Sequence, residues 1–325
     1  MRSRALLSAL VVVVVASCLL TSCSLKLPSQ GDRYMLEERV VQHVKGTDNK
    51  ILVIPLSGEV TSSSESGIFS SEANMVEELG MQLDRARNDD DVKGVILSIN
   101  SPGGEVTASE IIYHKISKFK KERGIPVVVL MGNVAASGAY YISMAADEIV
   151  AHPSTITGSI GVISVFMNFK GLMDKIGVEA VTLKTGKMKD VGSSVRPMTE
   201  DEQEYINVIL KEMYELFLDR VLSSRKELTR DQLLTLADGR VYTAKQALEA
   251  KLVDKIGFFD DAVSSVRRLA NVESCSIVAY EWPWNRKYDV YSMMSPGAVD
   301  INLLKVNFGS LGTSARPGFY YLWAH

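Results

Sequence analysis

Val95-Ile96-Leu97-Ser98-Ile99-Asn100-Ser101-Pro102-Gly103-Gly104 is the stretch whose reading decides the fold. Its first half, Val95–Ile99, is a short aliphatic run of the kind found in strands buried on both faces. Its second half is a turn. Pro102 fixes its own φ and the two glycines free the next ones, so backbone N–H groups can point into a cleft. The same residues read equally as a plain turn from strand to helix.

The flanking sequence repeats the pattern. Ile51–Leu56 and Val127–Met131 are similar runs, with amphipathic helical stretches between them. One helix is predicted to begin near Thr107, whose spacing to Glu110 makes a capping box, and to end at Arg123-Gly124. A long helix starts at Thr199, with Glu202 completing its box and Ile206, Ile209, Leu210, Met213 and Phe217 at helical spacing. Thr229 with Gln232 and Thr243 with Gln246 begin two shorter ones. Alternation of strands and helices predicts an α/β fold with a largely parallel sheet.

The chain has 325 residues, 46% hydrophobic and 23% charged, which is enough for a sizeable core. Its 36 basic and 39 acidic residues give a formal net charge of −3, without long runs of one sign. With no basic stripe and no RNA-type aromatic motif, nucleic acid is not an expected partner. No repeat of solenoid period is present.

The N-terminus carries a targeting signal. Arg2 and Arg4 precede the apolar run Ala5–Leu20, whose sixteen residues make roughly 24 Å of helix, short of the ~30 Å hydrocarbon core. That length suits an export signal better than a permanent span. Leu20-Thr21-Ser22-Cys23 resembles a bacterial lipobox, which makes Cys23 the expected lipidation site; Val15-Ala16-Ser17-Cys18 fits the same loose pattern. An uncleaved signal anchor is the alternative. Either reading puts the rest of the chain at the cell membrane on its extracytoplasmic side. With Cys18 removed and Cys23 lipidated, Cys275 alone remains, so no internal disulfide is expected. Cys275 lies in an apolar stretch and reads as a buried, unreactive thiol.

Three glycine-bearing segments could carry chemistry. Beyond Asn100–Gly104, Gly132-Asn133-Val134-Ala135-Ala136-Ser137-Gly138 follows a strand directly. A serine between small residues at a helix start has room around its hydroxyl and a field that favours an oxyanion. It is not the Gly-x-Ser-x-Gly elbow, and small-residue helix packing explains it as well. The third segment, Thr157-Gly158-Ser159-Ile160-Gly161, leads to a cluster of three lysines, Lys184, Lys187 and Lys189. A nucleophilic serine needs a base, and His43, His114, His152 and His325 are poorly placed for it. A lysine can serve if burial disfavours its ammonium form, and a hydroxyl such as that of Ser159 could hold the neutral amine in line.

Between Ile51 and Leu269 the chain resembles the protease IV family, in the short form known as bacterial signal peptide peptidase A. The marks are Asn100–Gly104, Ala135–Gly138, Thr157–Gly161, Lys189-Asp190, Ala237–Tyr242 and Leu252–Asp254, specific only together and in this order. The resemblance implies Ser137 as nucleophile, Lys189 as general base, Ser159 as the hydroxyl on the lysine and the Gly104 N–H as an oxyanion donor. The choice among the three lysines rests on it alone. It also implies a crotonase/caseinolytic-protease-like fold of stacked β-β-α units, no cofactor and no metal. A homo-oligomer is implied in which Ser and Lys can come from neighbouring protomers, acting on apolar peptides such as signal peptide fragments. Ala139 stands where many relatives have glycine. The division expected is a signal segment at 1–22, a linker at 23–49, the protease domain at 50–271, and a C-terminal strand and extended arm at 272–325.

Other readings compete. A crotonase-type enzyme or an inactive scaffold would share the fold, but export argues against an acyl-CoA substrate. Ser117-Lys118-Phe119-Lys120 and Lys184-Thr185-Gly186 match elements of penicillin-binding enzymes. No Ser-Asp-Asn accompanies them, and Ser117 lies at the polar end of an amphipathic helix.

Overall fold

The computed structural model describes residues 36–63, 66–67, 70–71, 74–283 and 319–323. The signal segment, Cys23 and the part of the C-terminal arm at 284–318 lie outside the described residues.

In chain order the strands are β1 (Glu37–Gln42), β2 (Lys50–Ser57), β3 (Ser66–Gly67), β4 (Ser70–Ser71), β5 (Val92–Ser101), β6 (Gly103–Glu105), β7 (Val127–Ala136), β8 (Glu148–Ala151), β9 (Ile156–Gly158), β10 (Val241–Thr243), β11 (Lys255–Ile256), β12 (Ser276–Glu281) and β13 (Tyr320–Leu322). The helices are α1 (Met75–Arg87), α2 (Val106–Arg123), α3 (Gly138–Ser143), α4 (Lys170–Ile176), α5 (Glu200–Ser224), α6 (Arg230–Leu236), α7 (Ala244–Glu249) and α8 (Phe259–Ala270).

The three apolar runs become the centre of one sheet, ordered β1-β12-β2-β5-β7-β8-β11. β2, β5 and β7 are parallel neighbours, with Leu52 opposite Val95 and Leu97 opposite Val129. Their side chains alternate between faces, and both faces are covered, which is why the runs are apolar without alternation. On one face Phe259, Ala262 and Val266 of α8 pack against Ile51, Ile96 and Val128. Cys275 is buried in this cluster as a free thiol, and burial pushes its pKa up.

The capping boxes at Thr199, Thr229 and Thr243 form as expected. The one at Thr107 does not. α2 starts a residue earlier, after Glu105, without a side-chain cap. The Glu110 carboxylate instead binds the Tyr141 hydroxyl and Arg220, so a tertiary partner displaces the local one. Two further differences concern chain ends. Glu37–Gln42, read as linker, adds strand β1 beside β12, and Tyr320–Leu322 of the arm pairs antiparallel with β6.

Candidate active site

β5 ends at Ser101, and after Pro102 the chain enters β6 at Gly103, whose φ of +97° suits glycine. A Cβ on Gly104 would come within 2.1 Å of the Val60 carbonyl oxygen, so only glycine lets these segments meet. β7 leads directly into Ser137, which is 1% exposed and caps the six-residue helix α3 at φ 55° and ψ −115°. A non-glycine residue there is strained, and such strain collects at functional sites. The surroundings hold it in place: the Ser137 N–H donates to the Gly158 carbonyl at 2.8 Å, and its own carbonyl accepts from the Tyr141 N–H at 2.8 Å.

Ala136 and Gly158 are register partners across β7 and β9, so Ser137 and Ser159 leave adjacent strands side by side. Ser159 is also at positive φ, 51°, and is 6% exposed. Its N–H donates to the Arg240 carbonyl at 2.8 Å, and the Gly239 N–H returns to Ile160 at 3.1 Å. β10 supplies this support through its antiparallel pairing with β9, and the Tyr242 ring leaves no room for a Cβ on Gly158, which would come within 2.6 Å of it. The Ala237–Tyr242 motif is therefore the scaffold that sets Ser159. Neither serine hydroxyl has a hydrogen-bond partner among the described residues.

The Gly103-Gly104 backbone closes the third side. A Cβ on Gly138 would lie 3.2 Å from the Gly104 nitrogen, and one on Gly103 would lie 2.6 Å from the Gly138 nitrogen. The backbone nitrogens of Gly104 and Gly138 thus lie close together beside Ser137. Gly138 is the first residue of α3, so its N–H has no partner within the helix. The sequence reading named Gly104 as an oxyanion donor and did not name Gly138, although its place directly after the serine was the available signal.

Lys189 is not brought to this cluster by any contact of the described residues. It is exposed, in an excursion between β9 and α5 whose helix α4 buries none of its residues. Lys184 pairs with Asp190 at 2.5 Å, and Lys187 pairs with Asp201, which raises the Lys187 pKa. Lys189 makes no ion pair or side-chain hydrogen bond among the described residues. Its neighbour Asp190 is clamped by Arg196, at 2.8 Å through Nε and 2.7 Å through Nη2, and Arg196 also holds Glu202 at the start of α5. Arg196, absent from the sequence reading, therefore fixes the backbone that carries Lys189.

A cleft of about 550 Å³ adjoins Ser159, lined by Ile160, Ile163, Leu210, Tyr214 and Trp323.

Comparison with known proteins points to peptidases. The model of peptidase family S49 matches residues 119–273, and that of Clp protease matches residues 66–157. A protein of Enterococcus faecium carrying the name signal peptide peptidase SppA is 36% identical over 235 residues, covering 72% of this chain and 68% of its own length. The chain belongs to peptidase family S49. Protease 4 of Haemophilus influenzae is 36% identical over 237 residues, and the chloroplastic serine protease SPPA of Arabidopsis thaliana is 31% identical over 252. The chain spans 37% and 35% of the length of these two family members. The Clp protease match takes in β5, β6, α2, β7 and α3, so the α/β fold is of the caseinolytic-protease kind, as the sequence reading expected.

Proposed function

We propose that this chain is a serine endopeptidase with a Ser–Lys dyad, held at the membrane and acting on signal peptide remnants and similar apolar peptides. The observation that carries the reading is the setting of Ser137: a strained, pinned residue whose hydroxyl has no partner among the described residues, beside the strand that leads into Ser159 and the clustered backbone of Gly103, Gly104 and Gly138. In this reading the neutral Lys189 amine takes the proton of Ser137 Oγ as that oxygen attacks the peptide carbonyl. The Gly104 and Gly138 N–H groups hold the oxyanion, the protonated lysine passes its proton to the leaving amine, and water resolves the acyl-enzyme. Ser159 orients the amine. No cofactor enters any step.

Lys184 and Lys187 are committed to ion pairs with Asp190 and Asp201, and Lys189 makes none among the described residues, which favours Lys189 as the amine that meets the serine. Its exposure favours a dyad shared between copies: Lys189 reaches the buried Ser137 of a neighbour. Phe169, Leu172, Ile176, Val178, Val181 and Leu183 are exposed on the same excursion, an apolar surface suited to such an interface. Attachment by lipid at Cys23, or by an uncleaved anchor, would hold the domain on the extracytoplasmic side. Among the described residues no helix is long and apolar enough to cross a membrane. Fluorophosphonate labelling of wild type and of Ser137→Ala tests the nucleophile: the wild type should label and the variant should not.

A further inference from the structure

The Gly103-Gly104 backbone beside Ser137 is held by a strap of residues 58–63 that follows β2. The Gly58 N–H donates to the Asn100 carbonyl at 3.1 Å, which keeps the strap alongside the end of β5. Past Pro102 it meets β6. The Val60 N–H donates to the Gly103 carbonyl at 2.8 Å, and the Glu105 N–H donates to the Val60 carbonyl at 2.8 Å, a parallel bridge of Val60 with Gly104. A trans peptide carries its C=O and its N–H on opposite sides. With the Gly103 carbonyl aimed at Val60, the Gly104 N–H leaves on the other edge of β6, the edge that pairs with β13 and lies beside Gly138. Val60 thus sets the direction of the proposed oxyanion donor.

That direction needs holding. With glycine on both sides, the peptide can turn over by opposite rotations about ψ of Gly103 and φ of Gly104 at little steric cost. Turned over, it would present the Gly103 carbonyl oxygen where an oxyanion has to sit. Val60 is buried, and the two residues after it are tied to Glu105. The Thr61 hydroxyl donates to one carboxylate oxygen at 3.0 Å, and the Ser62 N–H and hydroxyl donate to the other at 3.0 and 2.8 Å. Glu105 precedes α2 and makes no side-chain cap there, so its carboxylate serves the strap and not the helix. One residue therefore closes both ends: its N–H holds Val60, and its carboxylate holds the next two. Asn74, the cap of α1, adds its side-chain amide to the Ser62 carbonyl at 3.0 Å.

We propose that Glu105 is a positioning residue for the oxyanion hole: by clamping Thr61 and Ser62 it keeps Val60 on the Gly103 carbonyl, and so keeps the Gly104 N–H turned towards the reacting carbonyl. This rests on the peptidase reading of the Ser137 site. An oxyanion contact strengthens in the transition state, so its loss appears in kcat and leaves KM nearly unchanged. Removing such a donor outright costs roughly 10²–10³ in kcat; Glu105 acts at one remove, and its loss should cost about tenfold.

The test assays the full chain with acetyl-Ala-Leu-Leu-aminomethylcoumarin and with the boronic acid of the same tripeptide, whose adduct with a serine is tetrahedral like the transition state. Glu105→Ala should lower kcat about tenfold with KM within about twofold, and should weaken boronate binding by the same factor as kcat. Glu105→Gln should stay near wild type, since its amide oxygen can accept from Ser62 and its nitrogen can donate to the Thr61 hydroxyl. An equal loss in the two variants would mean that charge alone matters and would overturn the proposal. Thr61→Val with Ser62→Ala loosens the strap while leaving Glu105 in place, and is the second route should Glu105→Ala fold poorly. It should reproduce the loss, and adding Glu105→Ala to it should cost little more; full additivity would overturn the proposal. A wild type that neither cleaves the substrate nor binds the boronate would remove the peptidase reading and this proposal with it. A wild type that does both, matched by Glu105→Ala, would remove this proposal alone.

Discussion

Ser137 donates its backbone N–H to the Gly158 carbonyl at 2.8 Å, which extends the pairing of β7 with β9 to the residue before Ser159. Because Ala136 and Gly158 are register partners, any change that loosens β9 moves both serines together. The site is therefore one unit.

Ser137→Ala and Lys189→Ala should each abolish peptide hydrolysis, and the double variant should be no worse than either, because one shared step cannot be lost twice. Mixing the two inactive chains should restore part of the activity if Lys189 of one copy serves Ser137 of another. Inactivity of the mixture, with subunit exchange demonstrated, would restrict the dyad to a single chain.

Ser159→Ala should lower kcat by roughly 10²-fold, the scale of a lost base-positioning contact. Melting temperature should hardly change, since the hydroxyl has no hydrogen-bond partner among the described residues. Wild-type turnover would mean that something else orients the lysine.

Arg196→Gln should loosen the segment around Lys189. The Arg196 guanidinium holds Glu202 at about 2 against an ordinary 4.5, and with Lys184 it holds Asp190 below the usual carboxylate range. Carboxylates with lowered pKa stabilise fully above their unfolded values and lose that contribution as pH falls through the folded ones. Amide exchange across 184–199 should therefore be faster in the variant at neutral pH. The gap to wild type should narrow as pH drops below 4.5 towards 2. An unchanged gap would place the clamp elsewhere.

Tyr140→Phe should cost about 1–3 kcal/mol, because it leaves the buried Leu252 carbonyl without the hydroxyl that now donates to it at 2.8 Å. Urea unfolding measures this. The loss should appear in the midpoint with little change in slope.

Cys23→Ser should block processing and leave a longer precursor without acyl chains, seen by intact mass of protein purified from membranes. A wild type that retains Met1 and carries no acyl group would make the N-terminal run an anchor, and a start at Cys18 would move the lipid.

Much of the architecture was legible in the chain itself, because short-range chemistry decides it. Strands covered on both faces must be apolar throughout, which marks Ile51–Leu56, Val95–Ile99 and Val127–Met131; threonine with an acid or amide three residues on marks the starts of α5, α6 and α7. The place of Ser137 at the end of β7 follows from the same local pattern. Tertiary structure decided the rest. Thr107 and Glu110 had the right spacing for a cap, but a buried tyrosine and an arginine from α5 claimed the carboxylate. Three lysines within six residues were equivalent as text until Asp190 and Asp201 paired with two of them. Tyr321 is 184 residues from Ser137 in sequence, and only the pairing of β13 with β6 brings its carbonyl to the glycines beside that serine. Local spacing records which turn or helix a residue prefers; which charge finds which partner, and which strand fills which groove, depends on contacts between segments far apart in the chain.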